Sequence, residues 1–142
     1  MKHSNTRKLS LSLMALTLMG GVAYAQPGKL DLGQQEYQEN CAVCHANNGK
    51  GGGPYVEFLR KAPPDLTQLT KSNGGVFPVN RMYETIEGAN VPSHGSRDMP
   101  IWGLDYRKKA GDYYMDVPYD TEPYVRARIL TLIEYISRLQ ER

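Results

Sequence analysis

The chain has 142 residues, and its 17 Lys and Arg against 15 Asp and Glu give a formal charge of +2. That excess lies ahead of Gln26, in a segment with three basic and no acidic side chains; from Gln26 onward the balance is 14 to 15, or −1. Nothing in that balance therefore argues for binding to nucleic acid or to an anionic membrane surface. The stretch from Gln26 to Arg142 suits one domain with a modest core.

The opening segment reads as an export signal. Lys2, Arg7 and Lys8 form a basic start, Leu9 to Gly21 is largely apolar, and Ala23-Tyr24-Ala25 is a small-residue cleavage site. Ser10, Ser12 and Thr17 interrupt the apolar run, which is too short to span a bilayer at about 20 residues. Cleavage after Ala25 is expected, leaving 26–142 as a single domain in the periplasm; a retained amino-terminal anchor is the alternative.

Residues 26–32 are a short lead-in. A helix is predicted from Gly33, because Gly33, Tyr37 and Cys41 recur every four residues on one face. Glycine is costly inside a helix, and its expected benefit is the close approach of another backbone.

Cys41-Ala42-Val43-Cys44-His45 follows, with two thiols three positions apart and a histidine directly after the second. That spacing is the attachment pattern of a c-type haem. On one helical turn both cysteines can reach the two vinyl groups of a porphyrin, and the imidazole can take the iron. A thioredoxin-like pair would need a strand before it, and nothing upstream of Cys41 reads as one. Zinc needs about four ligands, whereas the only histidine beyond the leader and the motif is His94, and there is no third cysteine. A disulfide would close a very short loop and stabilise little. Export and haem attachment support each other, since the haem is attached outside the bacterial cytoplasm.

Asn47 to Pro54 is loop chemistry throughout, without the Lys-Ser/Thr ending of a phosphate loop. Pro63-Pro64-Asp65 starts a short predicted helix over 66–71, which Asn73-Gly74-Gly75 stops. Val79, Met82, Tyr83 and Ile86 form a helical stripe between Pro78 and Gly88. Residues 88–103 are irregular. The tyrosine-rich stretch 104–120 is expected to be a surface excursion with short helical pieces at most. The last helix has Thr121 as its expected cap and Pro123 in its first turn. Its apolar stripe is Val125, Ile129, Leu132, Ile133 and Ile136, with Glu134 and Arg138 paired on the wetter side. With no alternating strand pattern, the fold class is all-α.

The candidates for a second iron ligand are Met82, Met99, Met115 and His94. Met82 belongs to a helix stripe, where core packing is the ordinary role. Met115 sits among tyrosines with nothing to fix it, and His94 lies in a Pro-Ser-His-Gly setting that suits a surface or propionate contact. Met99 is in a loop, far enough beyond His45 for the intervening helices to wrap a porphyrin. Pro100 biases it toward extended backbone, so Met99 is the expected axial partner of His45.

These residues resemble a class I cytochrome c over nearly the whole chain beyond the leader. Gly33 and Tyr37 match the small and aromatic residues of the family's first helix, and Leu132, Tyr135, Ile136 and Leu139 match the crossing face of its last. Arg97-Asp98-Met99-Pro100-Ile101-Trp102-Gly103 is similar to the methionine-ligand loop of bacterial members. The resemblance implies terminal helices crossing around one covalent haem c, with Cys41 and Cys44 as attachment points and His45 and Met99 on the iron. It also implies a hydrogen bond from His45 to the Pro54 carbonyl and places Trp102 near the haem edge or a propionate. The segment 104–124 departs from the smallest members.

The function so implied is a periplasmic electron carrier rather than an enzyme, because a His/Met pair leaves no open site for a substrate. Expected partners are a redox donor and acceptor, met transiently by a monomer that touches membranes only through a partner. Lys50, Arg60, Lys61 and Lys71 are candidates for a basic docking ring. Two other readings are a haem subunit of a dehydrogenase or oxidase complex, docking through its tyrosines, and a gas-sensing or peroxidatic protein with a labile Met99.

Overall fold

The computed structural model describes residues 30–88, 99–115 and 120–141. The leader, His94, Arg97, Asp98 and residues 116–119 lie outside the described residues. Among the described residues five helices follow in order: α1 (Leu32–Asn40), α2 (Ala42–His45), α3 (Val79–Glu87), α4 (Trp102–Tyr113) and α5 (Glu122–Arg138). Short 3₁₀ turns at Val56–Phe58, Leu66–Gln68 and Lys71–Asn73 occupy the long connection between α2 and α3. Among the described residues there is no strand, and no helix is long and apolar enough to cross a membrane.

Helix α5 is the hub, packed against α1, α3 and α4. Its stripe is the one expected: Val125, Ile129, Leu132, Ile133 and Ile136 are all buried, each stabilising the fold by about 2 kcal/mol. Helix α1 lies across α5 at Gly33. A Cβ there would stand 2.1 Å from the Thr131 carbonyl oxygen, so only glycine lets the two backbones meet. Beside the contact, Tyr37 packs on Tyr135 with ring centroids 5.2 Å apart. Arg138 closes the end of the crossing, pairing with Asp31 and with Glu134. The Asp31 carboxylate also caps α1, accepting from the Gln34 amide at 2.9 Å.

Helix α3 ends as its sequence predicts. Gly88 takes the left-handed conformation (φ 79°) and donates to the Glu84 carbonyl at 2.9 Å.

Three expectations need correction. Residues 104–120 are not mainly a surface excursion: most of the stretch is α4, with Gly103, Tyr106 and Ala110 buried against its neighbours. The stripe escaped notice because it is built of a glycine, a tyrosine and an alanine at i, i+3 and i+7, not of large aliphatics. Its outer side and far end are exposed, with Leu104 at 48%, Tyr113 at 79% and Met115 at 81%. The predicted helix over 66–71 is two separate 3₁₀ turns, the first started by Asp65, whose carboxylate accepts from the Thr67 amide at 2.8 Å. Finally, Thr121 makes no side-chain cap to α5. Its preceding residue does that work, the Asp120 carboxylate accepting from the Glu122 amide at 3.0 Å. A carboxylate one residue earlier satisfies the same exposed amide end.

Candidate haem site

The Cys41–His45 segment forms one helical turn continuing from α1. Cys41 donates its amide to the Tyr37 carbonyl, and its own carbonyl accepts from the His45 amide at 2.9 Å. The helix-end carbonyls of this turn would otherwise lack partners. The glycine-rich loop supplies them: Tyr55, Gly53 and Gly51 donate to Val43, Cys44 and His45, each at 3.0 Å. The loop must lie almost on the turn to do so. A Cβ on Gly53 would stand 2.4 Å from the Val43 oxygen, and Gly51 has φ 77°. The run of glycines is therefore a cap for the Cys41–His45 turn rather than a phosphate cradle.

Ala46, just past the histidine, is held at φ 58° and ψ 164°, a region that is almost exclusive to glycine. Tyr37 holds it there, donating its hydroxyl to the Ala46 carbonyl at 2.7 Å. The Gly49 amide donates to the same carbonyl at 3.2 Å. Tyr37 is fully buried, and burial raises its phenol far above the ordinary range, so it acts as a neutral donor. Sequence reading placed Tyr37 on the helix face but missed this task; a strained alanine leaves no sequence signal.

Cys41 and His45 line a cavity of about 220 Å³. Its walls are Leu66 and Leu69 from the 3₁₀ region, Met82 and Ile86 from α3, and Leu132 and Ile136 from α5. Met99 and Trp102 complete it. Four of the six predicted site residues thus border one apolar space. Cys44 is half-buried on the same turn but is not part of the cavity wall, and Pro54 is exposed. No hydrogen bond joins the His45 Nδ1 to the Pro54 carbonyl. The neighbouring amides of Gly53 and Tyr55 donate to the turn's own carbonyls. Met82 has both roles, buried on its helix and facing the cavity. Lys50 is drawn off to the carboxyl end, pairing with Glu141 at 2.6 Å.

The two cysteines are not joined in a disulfide. Burial, with the Glu36 and Cys44 charges adding to it, pushes the Cys41 thiol up to about 12. A thiol so held is the reverse of a redox-active dithiol, which works by a lowered thiol pKa. Among the described residues no group of three or more His, Cys, Asp or Glu side chains is placed to hold a metal ion by itself. The residues around the cavity fit a haem: an imidazole and a thioether, groups of the kind that ligate haem iron, border it together with a thiol, and aliphatic side chains supply the walls.

Two helices bring Met99 and Trp102 to this place. Gly88, at the end of α3, touches Ile101, its Cβ position lying 2.8 Å from the isoleucine Cγ2. Gly103 approaches α3 as closely, its Cβ position 2.5 Å from the Glu87 oxygen. Arg107 then fastens α4 from outside, reaching Glu87 and Glu122 at 2.6 Å each. Glu122 and then Glu87 raise the guanidinium's already high pKa.

A family model described as Cytochrome c matches residues 30–139. No curated protein and no solved structure matches the chain.

Proposed function

The chain belongs to the cytochrome c family, and from that premise we propose that it is a class I, monohaem periplasmic electron carrier with His45 and Met99 as axial iron ligands. Membership makes it a c-type cytochrome that binds haem c covalently and serves haem-based electron transfer. The observation that carries the finer reading is that Cys41, His45 and Met99 border the same apolar cavity, although the methionine lies far along the chain from the motif.

Cys41 and Cys44 would hold the group covalently, and His45 and Met99 would ligate its iron. When bound, haem c supplies a one-electron Fe(III)/Fe(II) couple. Leu66, Leu69, Ile86, Leu132 and Ile136 exclude water and keep the surroundings apolar. That environment, together with a thioether ligand, favours the reduced state. The capped turn holds His45 so that it need not move between oxidation states. Trp102 belongs to the cavity edge. The leader ending at Ala25 supports export to the periplasm, and transient, small interfaces with a redox donor and a redox acceptor suit a monomeric carrier.

The test is an ultraviolet–visible spectrum and a redox titration of the purified mature holoprotein. We expect covalent haem that resists acid extraction, low-spin iron and the weak red charge-transfer band of a methionine–ferric haem bond. Met99→Ala should abolish that band and lower the potential, while a Cys41→Ala/Cys44→Ala variant should lose covalent haem. High-spin ferric iron in the unaltered protein would overturn the carrier reading in favour of a sensing or peroxidatic one. A Met99→Ala variant that keeps the band would overturn the ligand assignment.

A further inference from the structure

A charged cluster with no part in the ligand set lies where α1, α4 and α5 meet. Glu36 is only 3% exposed. Its Oε1 accepts from the Asn40 side-chain amide at 2.6 Å and from the Tyr106 hydroxyl at 2.8 Å. Its other oxygen pairs with Arg128. The Arg128 guanidinium also stands over the Tyr106 ring, 5.6 Å from its centroid. Tyr106 is itself 0% exposed, and burial together with the Glu36 charge raises its phenol far above the ordinary range, so it remains a donor.

A buried carboxylate demands partners, and Asn40 and Arg128 already provide two from α1 and α5. The third comes from α4, and a phenylalanine would fill the same apolar space without it. What the hydroxyl adds is register: a charge-assisted hydrogen bond has one geometry, whereas a slip of one helical turn moves a side chain about 5.4 Å. Tyr106 is one turn beyond Trp102 on the same helix, their ring centroids 6.4 Å apart. Met99 lies just ahead of that helix, and both it and Trp102 border the cavity. The placement of α4 thus decides where Met99 stands.

We propose that Tyr106, bonded to the Glu36–Arg128 pair, is a positioning residue that latches α4 and so holds Met99 at the iron site. The inference rests on the reading of Met99 as an axial ligand. The latch is closed when the thioether is in place. An outside ligand enters only when the Met99 side opens, so weakening the latch raises the fraction of protein able to take it up.

The experiment is a spectrophotometric titration of the ferric holoprotein with imidazole, comparing the unaltered protein with Tyr106→Phe. We expect Tyr106→Phe to retain covalent haem and the methionine band in the absence of imidazole. Its apparent Kd for imidazole should fall about tenfold, the change that loss of one charge-assisted hydrogen bond brings to an opening equilibrium. A variant that melts at a lower temperature but binds imidazole with unchanged affinity would show that the cluster merely stabilises the fold, and the proposal falls. Arg128→Lys provides a second route should Tyr106→Phe fail to accumulate with haem: it keeps the charge, loses the planar fork, and should tighten imidazole binding by a smaller factor. An unchanged Kd there overturns the latch as well. If the unaltered protein has no methionine band, the Met99 reading fails and takes this inference with it; if the band is present and the variants bind imidazole normally, the latch alone fails.

Discussion

Replacing Gly33 by alanine tests the α1–α5 crossing at the place where it has least room. Two effects of opposite sign compete. Alanine is the better helix former, by about 0.5–1 kcal/mol. Against that, its Cβ would stand 2.1 Å from the Thr131 carbonyl oxygen, 2.9 Å from the carbonyl carbon and 3.0 Å from the Tyr135 Cβ, where ordinary contact begins at 3.4 Å. Restoring ordinary contact would push the carbonyl oxygen back by more than an ångström. The obstacle is helix backbone, so no rotamer change can absorb it. Overpacking of this kind costs about 1–3 kcal/mol, and the rigid obstacle puts Gly33→Ala toward the upper end. The net expectation is a loss of about 1–2 kcal/mol, or roughly 5 °C in melting temperature for a domain of this size. Far-ultraviolet circular dichroism of the holoprotein during heating measures it. Gly111→Ala is the matched control: it also lies in a helix, but a Cβ there meets nothing within 4 Å. That substitution should stabilise by the propensity gain alone. If Gly33→Ala is as stable as the unaltered protein, the backbones do not meet at Gly33 and the steric reasoning is wrong.

Two further substitutions probe electrostatics and capping. The Gln34 amide, and then Arg138, hold the Asp31 carboxylate below its ordinary value of 3.8. A lowered folded-state pKa gives stability that is complete above the unfolded value and is lost as pH falls through the folded one. Asp31→Asn keeps a capping oxygen but no charge, so its melting temperature should fall less steeply than that of the unaltered protein between about pH 4 and pH 2; parallel curves would refute the assignment. At the start of α5, Asp120→Ala should lower stability by a few tenths to about 1 kcal/mol while Thr121→Ala does almost nothing. Denaturant titration distinguishes them, and the reverse order would restore Thr121 as the cap.

What could be read from the sequence follows the range over which each contact acts. The attachment turn is a local matter. Tyr37 reaches Ala46 across nine positions, and the loop amides that cap the turn belong to residues 51–55. The short motif was enough to find it, while the nearby glycines read only as loop. Helices α3 and α5 were equally plain, because their buried faces are apolar stripes and their ends carry Pro or Gly. Helix α4 was not. Its buried face is Gly103, Tyr106 and Ala110, residues that have no meaning until Glu87 and Glu36 are known to face them.

The two sides of the site therefore differ in kind. His45 is held by neighbours in the chain, whereas Met99 depends on a helix fastened through contacts that span 70 positions from Tyr106 to Glu36 and 15 to 20 from Arg107 to its carboxylates. Local contacts form with little loss of chain entropy, and distant ones must offset the closure of long loops. Substitutions around the motif should thus act on haem attachment directly. Those on α4 should act at a distance, through the fraction of molecules in which the methionine is seated. An imidazole affinity that shifts with Tyr106 while covalent attachment stays intact is the signature of that division, since the two sides would then be separable in one molecule.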